Sequence, residues 1–121
     1  MGIRATTRTG ASSSEPLNDD RLRKRLSPLG LTPLADATAR IRLSVCGEVK
    51  RIAVKPRSGS MALEIVIDDG TSDATVVFSG RPTIRGIGHG RCIKIDGVAF
   101  EERGRLVFLN PAYTLLPTPD R

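Results

Sequence analysis

The sequence predicts an all-β fold, a small and tightly curved antiparallel barrel of five strands. Three observations carry that prediction. Segments Leu63–Thr71, Ala74–Phe78, Gly90–Gly97 and Leu106–Tyr113 are short alternating apolar runs closed by Gly, Asp, Asn or Pro. Aromatic residues are scarce, with three Phe, one Tyr and no Trp. The core must therefore be built from Val, Ile and Leu, which strands favour. A chain of 121 residues makes one domain and not two.

Residues 1–16 are rich in Ser, Thr, Arg and Ala. They cannot bury enough apolar surface to offset the entropy of ordering, so a disordered basic tail is expected. Leu17–Leu26 reads as a short helix: Asn18 caps it, Asp19 and Asp20 meet its positive end, and Arg23, Lys24 and Arg25 its negative end. Leu17 and Leu22 form a hydrophobic staple, and Pro28 and Gly30 stop the helix. With its linker this segment extends to residue 40, and the barrel is expected over 41–117, leaving 118–121 as a tail.

From Ile41 the apolar period is two. Gly47 interrupts the run and predicts a bulge or tight bend in a long first strand that serves both halves of the barrel. Lys55–Ser60 reads as a loop, Leu63–Asp68 as the second strand, Asp68–Asp73 as a tight connection and Ala74–Phe78 as the third strand. Residues 79–91 carry Gly80, Gly86, Gly88 and Gly90 and read as an irregular connector. Cys92–Phe100 is the fourth strand, Glu101–Gly104 a hairpin turn and Arg105–Leu109 the fifth strand. Three strands, a connector and two more, with a long bent first strand, match the OB-fold, a five-stranded Greek-key barrel.

The ordered series Ile67–Thr71, Val77-Phe78, Gly90, Gly97 and Asn110–Tyr113 resembles the wedge OB domain of the bacterial fork-remodelling helicase RecG. The Gly47-Glu48-Val49 stretch, the Lys55-Pro56-Arg57 loop, Gly80-Arg81 and Asn110-Pro111 resemble small stand-alone actinobacterial OB-fold nucleic-acid-binding proteins more closely. The resemblance spans roughly residues 41–116. It implies an OB-fold and, by analogy of fold, binding of single-stranded nucleic acid.

The net charge is +6 and the isoelectric point about 10.1. Residues 1–40 hold seven Lys/Arg against four Asp/Glu, and residues 41–121 twelve against nine, so the tail alone does not explain the surplus. A basic surplus favours a polyanionic partner. The sequence contains no apolar run of membrane-span length and no secretory apolar segment, and a cytoplasmic protein without a membrane partner is expected. Met1–Thr6 fits the loose myristoylation pattern, which is read as chance. Cys46 and Cys92 are expected to be reduced packing residues close to each other.

Lys55 and Arg57, and Arg103 and Arg105, fall in the two loops that flank the ligand groove of OB domains. Lys50 and Arg51 precede the first loop, and Arg81 and Arg85 lie in the connector. With Ala74, Val76 and Phe78 in the core, Thr75 and Val77 face the groove, beside Glu64, Val66 and Asp68 of strand two. These strands present carboxylates and no aromatic platform, so binding is expected to rest on cations and to be weak, largely sequence-independent and salt-sensitive. The same partly acidic face supports the alternative of a protein-interaction module.

Other candidates dissolve on inspection. Asp68, Asp69 and Asp73 lack calcium-loop spacing and are turn residues. His89 stands in a glycine-rich loop with no nucleophile or orienting group in sight. Gly86–Gly90 lacks the Lys-Ser/Thr ending of a phosphate loop. Tyr113 is expected to pack at the barrel mouth. No enzyme, cofactor, metal or small-molecule substrate is expected.

Overall fold

Alternating apolar residues pair into one closed ring of strands in the computed structural model, which describes Leu26 and residues 30–117. The strands are β1 (Arg42–Arg57), β2 (Ser60–Asp68), β3 (Asp73–Ser79), β4 (Cys92–Glu102), β5 (Arg105–Leu109) and β6 (Ala112–Leu115). Pairing runs β1-β2-β3-β5-β4, and β4 returns to β1 to close five strands on themselves. Only the β3–β5 pairing is parallel. Closure leaves few free strand edges, which suits a sheet built from so small a chain.

β1 achieves closure by changing partner midway. Arg42–Glu48 pair with β4, and Glu48–Arg57 pair with β2. The change brings β1 hard against β2 at Gly47, where an added Cβ would lie 2.9 Å from the Asp68 amide nitrogen and 3.0 Å from Ile67 Cβ. Gly47 marks the change of partner, and the bulge expected there lies three residues on. The extra residue is Lys50, which falls between the pairs Val49–Ile67 and Arg51–Val66. Past this bulge Ile52 packs against the core, and Val54, two residues on, is exposed.

The interior is filled by Val, Ile and Leu from all five ring strands, with Phe78 and Phe108 as its aromatic members. Leu34 enters it from a single 3-10 turn, Leu34–Asp36, and Ile84 from the connector. Asp69 fixes the 3-10 turn: its carboxylate accepts hydrogen bonds from the Leu34 amide (2.8 Å), the Thr71 amide (2.9 Å) and the Thr71 hydroxyl (2.6 Å). The acidic segment is thus a structural turn, as its composition predicts. Tyr113 packs edge-on against Phe78, with ring centroids 5.4 Å apart.

Three features differ from the sequence-based expectation. The loop expected over Lys55–Ser60 shrinks to the two-residue turn Ser58-Gly59, and that over Glu101–Gly104 to Arg103-Gly104. Both positions of each turn have positive φ (52° and 86°, 54° and 79°), the type I′ geometry whose twist matches paired strands, so both hairpins stay paired to their tips. The sheet gains a sixth strand. Asn110, with φ 49°, and Pro111 break β5 and send the chain back along β4, where β6 pairs with Ile93–Asp96.

The helix expected over Leu17–Leu26, the tail 1–16 and residues 118–121 lie outside the described residues, except for Leu26. That residue is helical and buried against Cys46 and Cys92, with Leu31 and Leu116 beside them. Other helical structure among the described residues is limited to the 3-10 turn. No described helix is long and apolar enough to cross a membrane.

Candidate functional site

The outward faces of five strands meet in one row. Register places Arg51 beside Val66, Val66 beside Thr75, Thr75 beside Val107 and Val107 beside Phe100. Arg51, Val66, Thr75 and Val107 of this row form the floor of an open groove of about 480 Å³. Its walls are the two hairpin tips: Lys55 and Arg57 from β1–β2, and Glu102, Arg103 and Arg105 from β4–β5. Type I′ turns make this possible, since paired strands carry the cations to the rim on stiff supports instead of mobile loops.

Of the residues singled out in the sequence, Arg51, Lys55, Arg57, Thr75, Arg103 and Arg105 line this groove. The other four do not. Lys50 projects from the bulge, 3.4 Å from the Glu48 carboxylate. Arg81 and Arg85 are exposed on the connector, away from the groove lining. Val77 is fully buried, packed with Ala62, Val107 and Phe100 in a small apolar cluster of the outer face. Alternation put Val77 outward correctly; its neighbours then cover it. Asp68, expected on the same face, is buried and accepts the Gly70 amide at 2.7 Å.

Glu102 in the groove wall, and Phe100 at the end of the strand row, escaped the sequence reading. Glu102 was hidden in an expected turn, and strand four was read as ending at Phe100. Ala99 is a core residue, so alternation carried two residues further places both Phe100 and Glu102 outward. Phe100 is the one aromatic ring in the row, at its end, half-buried against Val107.

The electrostatics mix signs. Five cations face two carboxylates, Glu64 and Glu102. Arg57 donates to Glu102 at 3.0 Å and stands 3.8 Å from Glu64, with Lys55 3.8 Å from the other oxygen of Glu64. The Arg57–Glu102 pair joins one hairpin tip to the other across the mouth. Arg51, Arg103 and Arg105 enter none of the ion pairs described. A surface of this kind favours anions, and Arg forks match phosphate geometry.

Elsewhere the chemistry is quiet. Burial pushes the Cys46 thiol up to about 11, with Asp69 and Cys92 adding to the rise. Cys46 and Cys92 are both buried and free of a disulfide. Among the described residues no group of three or more His, Cys, Asp or Glu is placed to hold a metal ion. His89 is exposed on the connector.

No protein-family model matches the chain, and no curated protein matches it. Among solved structures, the chain is similar to the OB domain of Ta0387 from Thermoplasma acidophilum, with a TM-score of 0.59 and 15% identity. The match covers 75% of this chain and 91% of that one. At this identity the likeness concerns the backbone alone, and it establishes that the chain has the fold of an OB domain.

Proposed function

We propose that this protein binds single-stranded DNA or RNA in the groove, weakly and with little sequence preference, and that it is a binding module and not an enzyme. The observation that carries this reading is the gathering of Arg51, Lys55, Arg57, Arg103 and Arg105, from two separate hairpins, around one open groove. OB domains use this face and these two loops for oligonucleotides. Phosphates are the expected points of contact. The floor is small and aliphatic, with one ring at its end, so stacking adds little. The reading extends to a stand-alone OB protein that resembles the RecG wedge domain in its motifs and works in the cytoplasm, where both thiols would stay reduced.

A labelled oligothymidylate of about 15 nucleotides, titrated at low salt, tests the proposal. Saturable binding at micromolar protein is expected, weakening steeply as salt rises. No binding at high micromolar protein would end it. The second reading, a protein-interaction module, is favoured by Glu64 and Glu102 within the groove. A module of that kind leaves the oligonucleotide titration silent at every salt concentration.

A further inference from the structure

Resting on the nucleic-acid reading, the geometry points to Glu102 as a built-in competitor for the ligand's phosphate: a carboxylate clasp on Arg57 that the polyanion must displace. Arg57 has less than a quarter of its side chain exposed, at 23%, and both ends of its fork face carboxylates. One nitrogen donates to Glu102 at 3.0 Å, and the other stands 3.8 Å from Glu64. Among the described residues, the one side-chain hydrogen bond of Arg57 goes to Glu102, and the two carboxylates offset the charge that a phosphate would meet.

The two carboxylates differ in mobility. Glu64 sits mid-strand on the floor, is 22% exposed and is shared with Lys55. Glu102 stands at the end of β4, is 44% exposed and pairs only with Arg57 among the ion pairs described. It is the one that can swing away. Because Arg57 belongs to the β1–β2 hairpin and Glu102 to the β4–β5 hairpin, releasing the pair also unties the two rims of the groove. The clasp therefore sets a threshold: a chain of phosphates that engages Arg51, Arg103 and Arg105 together displaces Glu102, and a single small anion does not.

The test compares wild type with Glu102→Gln, Arg57→Ala, the double variant and Glu101→Gln, using the same labelled oligothymidylate over a range of salt. Glu101 is exposed and pairs with core-facing Leu106, which places it on the opposite face of β4, so it controls for a general change of charge. Glu102→Gln is expected to bind about two- to five-fold tighter. Its log–log salt slope should change by less than the roughly 0.7 of one whole extra phosphate, since Arg57 meets a phosphate in both complexes once Glu102 is displaced. Glu101→Gln should not tighten binding, and with Arg57→Ala in place the Glu102 substitution should have no effect. Wild-type binding that Glu102→Gln leaves unchanged or weakens would overturn the clasp alone, as would an equal gain from Glu101→Gln. Silence from wild type and Glu102→Gln alike would overturn the nucleic-acid reading beneath it. Binding by Glu102→Gln alone would support the clasp in its strongest form.

Discussion

Single residues in this fold are constrained by what touches them more than by their own propensities. Gly47 shows the cost of the partner exchange in β1. Gly47→Ala forces a methyl into the β2 backbone and is expected to destabilise by about 1–3 kcal/mol in urea unfolding, with the midpoint shifted and the slope unchanged. Asp69 is a second such point. Both of its oxygens accept amide hydrogens, so Asp69→Asn turns one acceptor into a donor facing a donor. A loss of about 1–3 kcal/mol is expected by the same measurement. Cys46 adds a pH signature. Its pKa is raised on folding, from 9.0 to about 11, so the neutral thiol is the form the folded state prefers. Its contribution is whole below pH 9, where both states are protonated, and is lost as pH climbs from 9 towards 11 and the unfolded thiolate draws the equilibrium. Cys46→Val should flatten the stability curve over that window by about 1–3 kcal/mol relative to wild type. Gly47 and the acidic turn could be read in the sequence because glycine and aspartate have few other uses there. Burial of Val77 could not, since it depends on Ala62, Val107 and Phe100 converging from three other strands.

At the scale of elements, the hairpins decide the site. Strand interiors were legible because apolar alternation is a local signal, and it located five strands in order. Their ends were less so. Pro56 and the charged Lys55 and Arg57 look like a loop, yet the β1 edge beyond Glu48 has no partner other than β2, so proline costs no ladder bond there. In the same way Glu101 and Glu102 belong to β4 because Arg103-Gly104 turns in two residues. Such turns respond to a simple substitution. Ser58→Asn places the preferred residue before Gly59 in a type I′ turn and should stabilise by a few tenths to about 1 kcal/mol in thermal unfolding. Glycine is needed at the second position, and Gly104→Ala, at φ 79°, should cost about 1 kcal/mol. β6 escaped detection because four residues after a proline carry almost no periodicity; its place is set by the open edge of β4.

For the whole molecule, ring closure converts dispersed charge into a site. Arg51 and Arg105 lie far apart in sequence, and nothing local relates them; β3 and β5 pairing in parallel brings their strands to one face. Composition implied a polyanionic partner and fold analogy implied where it would lie, while Lys50, Arg81 and Arg85 show that a basic residue near the right loop is not thereby in the groove. The decisive measurement is an amide-resolved NMR titration of the intact chain with a short single-stranded oligonucleotide at low salt. The account predicts shifts concentrated at Arg51–Arg57, Val66, Thr75 and Glu102–Val107, with the connector at 80–91 and the far end of β4, at Lys94 and Asp96 beside β6, unmoved. Perturbations that gather on the connector or on that end of β4, with the groove silent, would contradict it.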